Sequence, residues 1–240
     1  MAQSLLKSIN QDVGKAIHHY DMISHGDRIV VGVSGGKDSL TLLWLLTERL
    51  SRIPVTYELF PVYIDPGFSG GFAEELCQWV QTFGLNLRVE HTDYGIQAHR
   101  ADNRENPCFL CARLRRKKIF DITGELGCNK IAFGHHKDDI IETFFLNICF
   151  SGMMATMRPK QSFFDGRFSI IRPLAFVDEQ RIQRFARKNN FPEFANPCPY
   201  GKISKRKEIK DLLNHLYQTN QKIKGNIFRS LSNINHDYLL

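Results

Sequence analysis

The residues best equipped for chemistry begin with the run Ser34-Gly35-Gly36-Lys37-Asp38-Ser39, where small residues surround a cation, a carboxylate and two hydroxyls. Glycines let a phosphate approach the backbone closely, and free N–H groups at the start of a helix, with the positive end of its dipole, attract an anion. A second group, Gly134, His135, His136, Asp138 and Asp139, repeats that design further along the chain. A third pairs Cys108 and Cys111 at Cys-x-x-Cys spacing, ahead of Arg113, Arg115, Arg116, Lys117 and Lys118, with Cys198 standing apart before another basic run. The first run fits neither a Walker A loop, Gly-x-x-x-x-Gly-Lys-Ser/Thr, nor the Gly-x-Gly-x-x-Gly turn of a dinucleotide fold.

SGGKDS instead resembles the pyrophosphate loop of the PP-loop, or N-type, ATP pyrophosphatases. These split ATP between its α and β phosphates and adenylate a substrate oxygen. The resemblance implies that Ser34, Gly35, Gly36, Lys37, Asp38 and Ser39 hold nucleotide phosphates. The loop names a chemistry and leaves the substrate open.

The surrounding elements must bring these groups together. A β-branched run from Arg28 to Val33 precedes the first loop and a leucine-rich helical pattern follows it. Further strands are expected at Tyr57–Ile64, Asn86–Glu90, Lys130–Phe133 and Phe168–Leu174, with a helix of buried face Phe72, Leu76, Trp79, Val80 and Phe83. Alternation of this kind predicts an α/β fold, an open, mostly parallel five-stranded sheet with helices on both faces. Residues 92–107 read as a long loop, and the stretch from Gly152 to Phe168 as irregular. Leu6, Ile9, Val13, Ile17 and Tyr20 mark one face of an N-terminal helix within residues 1–24. The nucleotide-binding core is expected over 25–175, with a helical extension carrying Cys198 over 176–240, all as one domain. Both phosphate-loop candidates follow strands, and ligands of open α/β sheets sit at strand C-terminal ends, so the two loops are expected to face one pocket.

Lysine and arginine exceed aspartate and glutamate by 32 to 25, a net charge of +7, and the basic residues cluster in a manner that suits a polyanion. Six cysteines among 240 residues are too few for a disulfide scaffold, and no apolar signal segment begins the chain, so a reducing, cytoplasmic setting without membrane attachment is expected. Cys77, Cys128 and Cys149 fall on apolar patterns and read as core.

Acidic residues at helix starts commonly act as caps. Beside a phosphate loop, however, Asp38 reads as a Mg²⁺ ligand, Asp138 as a metal or catalytic carboxylate, and Asp139 as a further candidate at the nucleotide. One of His135 and His136 could hydrogen-bond phosphate while the other fills space. Cys-x-x-Cys is shared by zinc sites, redox pairs and iron–sulfur clusters. The helix dipole and nearby cations favour thiolates there, and His91 or His99 could complete a zinc site. Three sulfurs without an obvious fourth suit a cubane cluster with one open iron.

In order along the chain, SGGKDS, Pro107-Cys108-x-x-Cys111 with Ala-Arg-Leu-Arg-Arg, GHHKDD with Glu142-Thr143, Ile171-Arg172-Pro173-Leu174 and a lone cysteine before a basic helix resemble the TtcA family of tRNA 2-thiocytidine synthetases. The resemblance covers nearly the whole chain. It implies a dimeric cytoplasmic enzyme that uses ATP, Mg²⁺ and a [4Fe-4S] cluster on Cys108, Cys111 and Cys198. The implied substrate is cytidine 32 of tRNA, and the sulfur would come from a donor such as a cysteine desulfurase. Arg115, one turn past Cys111, could steady a phosphate or oxyanion, with Asp38 and Asp138 as its catalytic companions. Cys198 lies in Asn196-Pro197-Cys198-Pro199-Tyr200-Gly201, with no adjoining cysteine. The rival readings are another adenylating PP-loop enzyme with a structural zinc, such as a 2-thiouridine or lysidine synthetase or an amidotransferase-type synthetase, and a non-catalytic tRNA-binding or redox module.

Overall fold

Asp27–Gly32 forms β1, the centre of the sheet, because its β-branched residues can be buried on both faces: Ile29 and Val31 turn to one side and Val30 to the other, all fully buried. The computed structural model describes residues 2–195, 198 and 205–238. Before β1 lies α1 (Ala2–His19), and after it come α2 (Lys37–Leu50), β2 (Tyr57–Asp65), α3 (Ala73–Gln81), β3 (Arg88–His91) and α4 (Tyr94–Ala98). The chain continues through α5 (Pro107–Glu125), β4 (Lys130–Ala132), α6 (Lys137–Ser151), β5 (Lys160–Phe163) and β6 (Phe168–Ile171). It ends in α7 (Glu179–Lys188), α8 (Lys205–Thr219), α9 (Ile223–Ser230) and a short 3₁₀ turn at His236–Tyr238.

The strands stand in the order β3-β2-β1-β4-β6-β5, parallel except for β5, which runs antiparallel to β6. Among the described residues the sheet therefore has six strands, not the expected five. The added strand lies in the stretch read as irregular, and its hairpin pairs Phe163 with Phe168 around Phe164 and Asp165, both at positive φ, and Gly166. Lys160, Gln161 and Ser162 give it little apolar signal because it is an edge strand. The expected loop over 92–107 likewise contains α4, packed so closely at Gly95 that a Cβ there would lie 2.4 Å from the Phe68 ring.

One face of the sheet is covered by α1, α2, α3 and α7, whose Ile9, Val13, Leu42, Leu46, Leu76 and Ile182 join Ile29 and Val31 in the main core. Trp44 of α2 meets Phe185 of α7 edge-on at 5.0 Å, and Asp12 of α1 pairs with Arg181 at 2.5 Å. The other face packs Val30, Val62, Ile131 and Ile170 against Ile119 and Ile122 of α5. Helices α8 and α9 rest on α6 through Ile141, Ile209 and Leu213. Cys128 is buried as expected, whereas Cys77 is half-buried and Cys149 is exposed. The expectation of a core Cys149 fails because the last turns of α6 run past the packed region, leaving Ile148, Phe150, Met153 and Met154 exposed too. No helix among the described residues is long and apolar enough to cross a membrane.

Candidate functional site

Strand order reverses between β1 and β4, which are neighbours with Val31 opposite Ala132. A crevice opens at such a switch point, beyond the strand C-termini. The loop after β1 is locked by Ser39: its Oγ accepts from Ser34 N at 3.0 Å and donates to Gly36 O at 2.9 Å. Gly35 has φ +76°, and a Cβ there would lie 2.4 Å from the Phe72 ring, which itself stacks on Phe194 at 4.7 Å. Gly36 caps α2 without any side-chain hydrogen bond, so the first-turn N–H groups are left for a ligand.

The second loop touches the first backbone to backbone. A Cβ on Gly134 would lie 2.8 Å from the carbonyl carbon of Asp38. His136, buried, caps α6 in a reciprocal box, its Nδ1 accepting from Asp139 N at 3.4 Å while its own N donates to Asp139 Oδ2 at 2.9 Å. That assigns the ring proton to Nε2, which faces Asp38 Oδ1 at 3.7 Å. Asp38 Oδ1 is buried and has no hydrogen-bond partner among the described residues. Burial pushes the Asp38 carboxyl up, against the opposing pull of His136 and Lys37, and Asp139 adds to the rise. An orphaned carboxylate oxygen beside a second carboxylate fits a hard cation such as Mg²⁺.

Between the loops lies a cavity of about 320 Å³, lined by Ser34, Asp38 and Asp139 together with Arg115, Arg116 and Arg172. Ser39, Gly134 and His135 also line it. Lys37 does not: its Nζ binds Asp38 at 3.3 Å and Glu179 at 3.2 Å. Asp138 does not either, since its Oδ1 pairs with Lys224 at 2.5 Å and its Oδ2 accepts from Glu179 N at 2.8 Å. Of the adjacent acids, Asp139 is thus the one on the cavity wall. His135 is held neutral, its imidazole pushed down to about 4 by burial and the nearby Arg172 guanidinium.

Helix α5 links this cavity to the cysteines. Asn106 caps it, accepting from Phe109 N at 3.2 Å, and Pro107 occupies its first turn. Cys108 is exposed and Cys111 half-buried, and Ala112, Arg115 and Arg116 follow on the cavity wall. Burial pushes the Cys111 thiol up, Arg115 opposes this, and Cys198 and Cys108 reinforce it. Desolvation thus opposes the thiolate expected at Cys111, which also feels the charge of the other two sulfurs. No group of three or more histidine, cysteine or acidic side chains among the described residues is drawn together as a finished metal site. The donor set still fits an iron–sulfur cluster in its chemistry: Cys111 feels the charge of both Cys108 and Cys198, with the Arg115 guanidinium beside it. His91 pairs with Asp65 at 3.3 Å and His99 Nδ1 meets Gly95 O at 2.8 Å. Cys198 is half-buried, and Asn196, Pro197, Pro199, Tyr200, Gly201 and Lys202 lie outside the described residues.

Three participants have no assigned role in the sequence. Glu179 accepts from both Lys37 and Lys210, which with burial opposing leaves its carboxyl near 2. Arg206 of α8 binds buried Glu142 at 2.9 Å and reaches Asp139 Oδ1 at 3.5 Å. Arg172 ends β6 within the cavity. Their signal was present only as charged residues in otherwise apolar or helical contexts.

A PP-loop domain profile matches residues 5–215. A tRNA-cytidine(32) 2-sulfurtransferase of Citrifermentans bemidjiense is 40% identical over 235 residues, 97% of this chain and 92% of that protein. The same-named protein of Geobacter sulfurreducens is 39% identical over 237 residues, covering 98% and 92%. Among solved structures, the U34-tRNA thiolase NcsA from Methanococcus maripaludis with its [4Fe-4S] cluster superposes with a TM-score of 0.80 at 24% identity, over 97% of this chain and 79% of that one. An NH3-dependent NAD synthetase from Campylobacter jejuni gives 0.55 at 15%, over 97% and 92%, which extends the likeness of fold to a different substrate. The loop geometry, the domain match and near-full-length identity to sulfurtransferases agree, and the chain belongs to the PP-loop family of tRNA-cytidine(32) 2-sulfurtransferases.

Proposed function

We propose that this chain adenylates the C2 oxygen of cytidine 32 in tRNA at the expense of ATP and replaces it with sulfur, giving 2-thiocytidine. The carrying observation is that one helix, α5, bears Cys108 and Cys111 at its start and places Arg115 on the nucleotide cavity within the following turn. Activation and sulfur delivery then share one wall.

The C2 oxygen is a poor leaving group, and attachment to AMP makes it a good one. The loop Ser34–Ser39 would hold the β and γ phosphates on its uncapped N–H groups, with Lys37 nearby as a fixed cation. Asp38 and Asp139 would hold Mg²⁺, which neutralises the leaving pyrophosphate. Arg115 faces the cavity with a buried Nε that lacks a hydrogen-bond partner among the described residues, and would meet charge developing on the phosphate. Asp138 would act through structure, tying the start of α7 to α9. Cys108, Cys111 and Cys198 would hold a [4Fe-4S] cluster, which when bound supplies an open iron able to carry sulfur. The basic residues after Cys111 and Cys198 would hold RNA phosphates while the target base leaves its stack. The working form is a cytoplasmic homodimer served by a sulfur donor such as a cysteine desulfurase.

Nucleosides from tRNA of cells lacking the chain test the reading by mass spectrometry. Selective loss of 2-thiocytidine is expected, and loss of a different thionucleoside would reassign the substrate. Anaerobically purified protein containing zinc, without iron or labile sulfide, would favour the structural-zinc alternative.

A further inference from the structure

Arg172 is a charged side chain in the wrong place for a purely structural arginine. It is 7% exposed at the end of a fully buried strand. Its Nη1 donates to the carbonyl of Arg158, and its Nε donates to His135 Nδ1 at 3.3 Å. No hydrogen bond among the described residues uses its Nη2, and no carboxylate among them pairs with it. Asp139 is the one acid whose field reaches it. Burial and the like charge of Arg116 pull the guanidinium down to about 10. A buried charge without a counter-charge is costly, and an anion in the adjoining cavity would relieve that cost. Arg115, whose buried Nε has no hydrogen-bond partner among the described residues, lines the same cavity.

The partner of Arg172 is equally informative. An imidazole that accepts at Nδ1 carries its proton on Nε2 and is neutral, so His135 orients the guanidinium without adding charge. The cavity it lines is shared by the phosphate-loop residues Ser34 and Ser39, the carboxylates Asp38 and Asp139, and the guanidiniums of Arg115, Arg116 and Arg172. With β and γ phosphates on the loop, the α-phosphate is the next along the nucleotide to meet the rest of this lining, where Arg172 stands.

We propose that Arg172 binds the α-phosphate of the nucleotide, the phosphate at which the reaction occurs, and that His135 is a positioning residue that fixes the guanidinium. The inference rests on the adenylation reading. In that step a bond forms from the base oxygen to the α-phosphorus, the bond from that phosphorus to the bridging oxygen breaks, and its electron pair leaves with pyrophosphate. The α-phosphate oxygens gain charge as this happens, next to a guanidinium already in place. A backbone phosphate of RNA could present the same ester chemistry, but the low exposure of Arg172 favours the small ligand inside the cavity.

Calorimetric titration of the full chain with AMP and with adenosine isolates the contribution of that phosphate. The wild-type chain is expected to prefer AMP, and Arg172→Gln to reduce that preference about tenfold to a hundredfold, the range for a hydrogen bond to a charged group. Its tRNA affinity, measured by fluorescence anisotropy, should stay within about twofold, well inside the range of a single charged contact. Arg172→Lys, which keeps the charge, should recover part of the preference, and His135→Phe should lower it while sparing adenosine. In the wild-type chain the Arg172 Nε–H nuclear magnetic resonance should move with AMP and not with adenosine, a reading that needs no variant to fold. An unchanged AMP preference in folded Arg172→Gln, or a resonance that ignores AMP, overturns the inference. A loss confined to tRNA overturns it in favour of an RNA phosphate. A wild-type chain that binds α,β-methylene-ATP but does not prefer AMP to adenosine overturns it while leaving the adenylation reading intact.

Discussion

The backbone of Asp38 and that of Gly134 meet so closely that a Cβ on Gly134 would lie 2.8 Å from the Asp38 carbonyl carbon and 2.9 Å from Ser39 N. Two loops far apart in sequence are thereby held as one surface. Neither backbone can yield without moving a helix start. Gly134→Ala should cost about 1–3 kcal/mol of stability by overpacking. It should also weaken α,β-methylene-ATP binding by about tenfold, the equivalent of some 1.4 kcal/mol. Thermal melts and calorimetry check the two effects separately.

Asp38 and Asp138 should separate cleanly. Asp38→Asn removes the orphaned carboxylate oxygen on the cavity and should slow ATP-dependent pyrophosphate release on the order of a hundredfold with little change in melting temperature. Asp138→Asn weakens the contacts to Lys224 and to Glu179 N and should cost about 2 kcal/mol of stability. Its Mg²⁺ requirement in pyrophosphate release should be unaltered. Urea unfolding alongside a Mg²⁺ titration distinguishes them.

Serine replacement of Cys108, Cys111 or Cys198 should each abolish bound iron and labile sulfide in anaerobically purified protein. Cys149→Ser, at an exposed position on α6, should leave both unchanged. Retention of iron in any one of the first three variants would remove that residue from the ligand set.

Acid stability should fall in two windows. His135 is held at about 4, below its ordinary 6.5, so the folded state prefers the neutral ring. That contribution is present above about pH 6.5 and declines as pH falls toward 4, because the unfolded chain then binds the extra proton. Glu179, held near 2 against an ordinary 4.5, contributes above its unfolded value and loses that contribution as pH falls from 4.5 toward 2. Urea unfolding across pH 3–8 should show His135→Gln flattening the upper window and Glu179→Gln the lower.

Sequence reasoning went furthest where chemistry and periodicity coincided. The run Ser34 to Ser39 between a β-branched strand and a leucine-rich helix announced the loop, and the alternation of strands with helices announced the mostly parallel sheet. Strand β5 was hidden because an edge strand can be polar, though Asp165-Gly166 was a turn signal. Asp138 and Asp139 looked alike because a helix start offers adjacent residues the same prospects. Only the arrival of Lys224 from α9 and the start of α7 showed that Asp138 is drawn away from the cavity while Asp139 lines it. Arg172 was legible only as part of Ile171-Arg172-Pro173-Leu174, because its significance lies in burial with no carboxylate paired to it among the described residues, which no linear pattern records.

The placement of β1 between β2 and β4 bears on how the protein is made. As the chain leaves the ribosome, Ser34 to Ser39 emerge long before β4 delivers Gly134 and Asp139, and β6 brings Arg172 later still. The phosphate-holding turn can form early, but its opposing wall is built from contacts distant in sequence and must wait for most of the sheet. A nascent chain therefore exposes its anion-seeking loop before it owns a closed pocket, and nucleotide binding reports completion of the sheet.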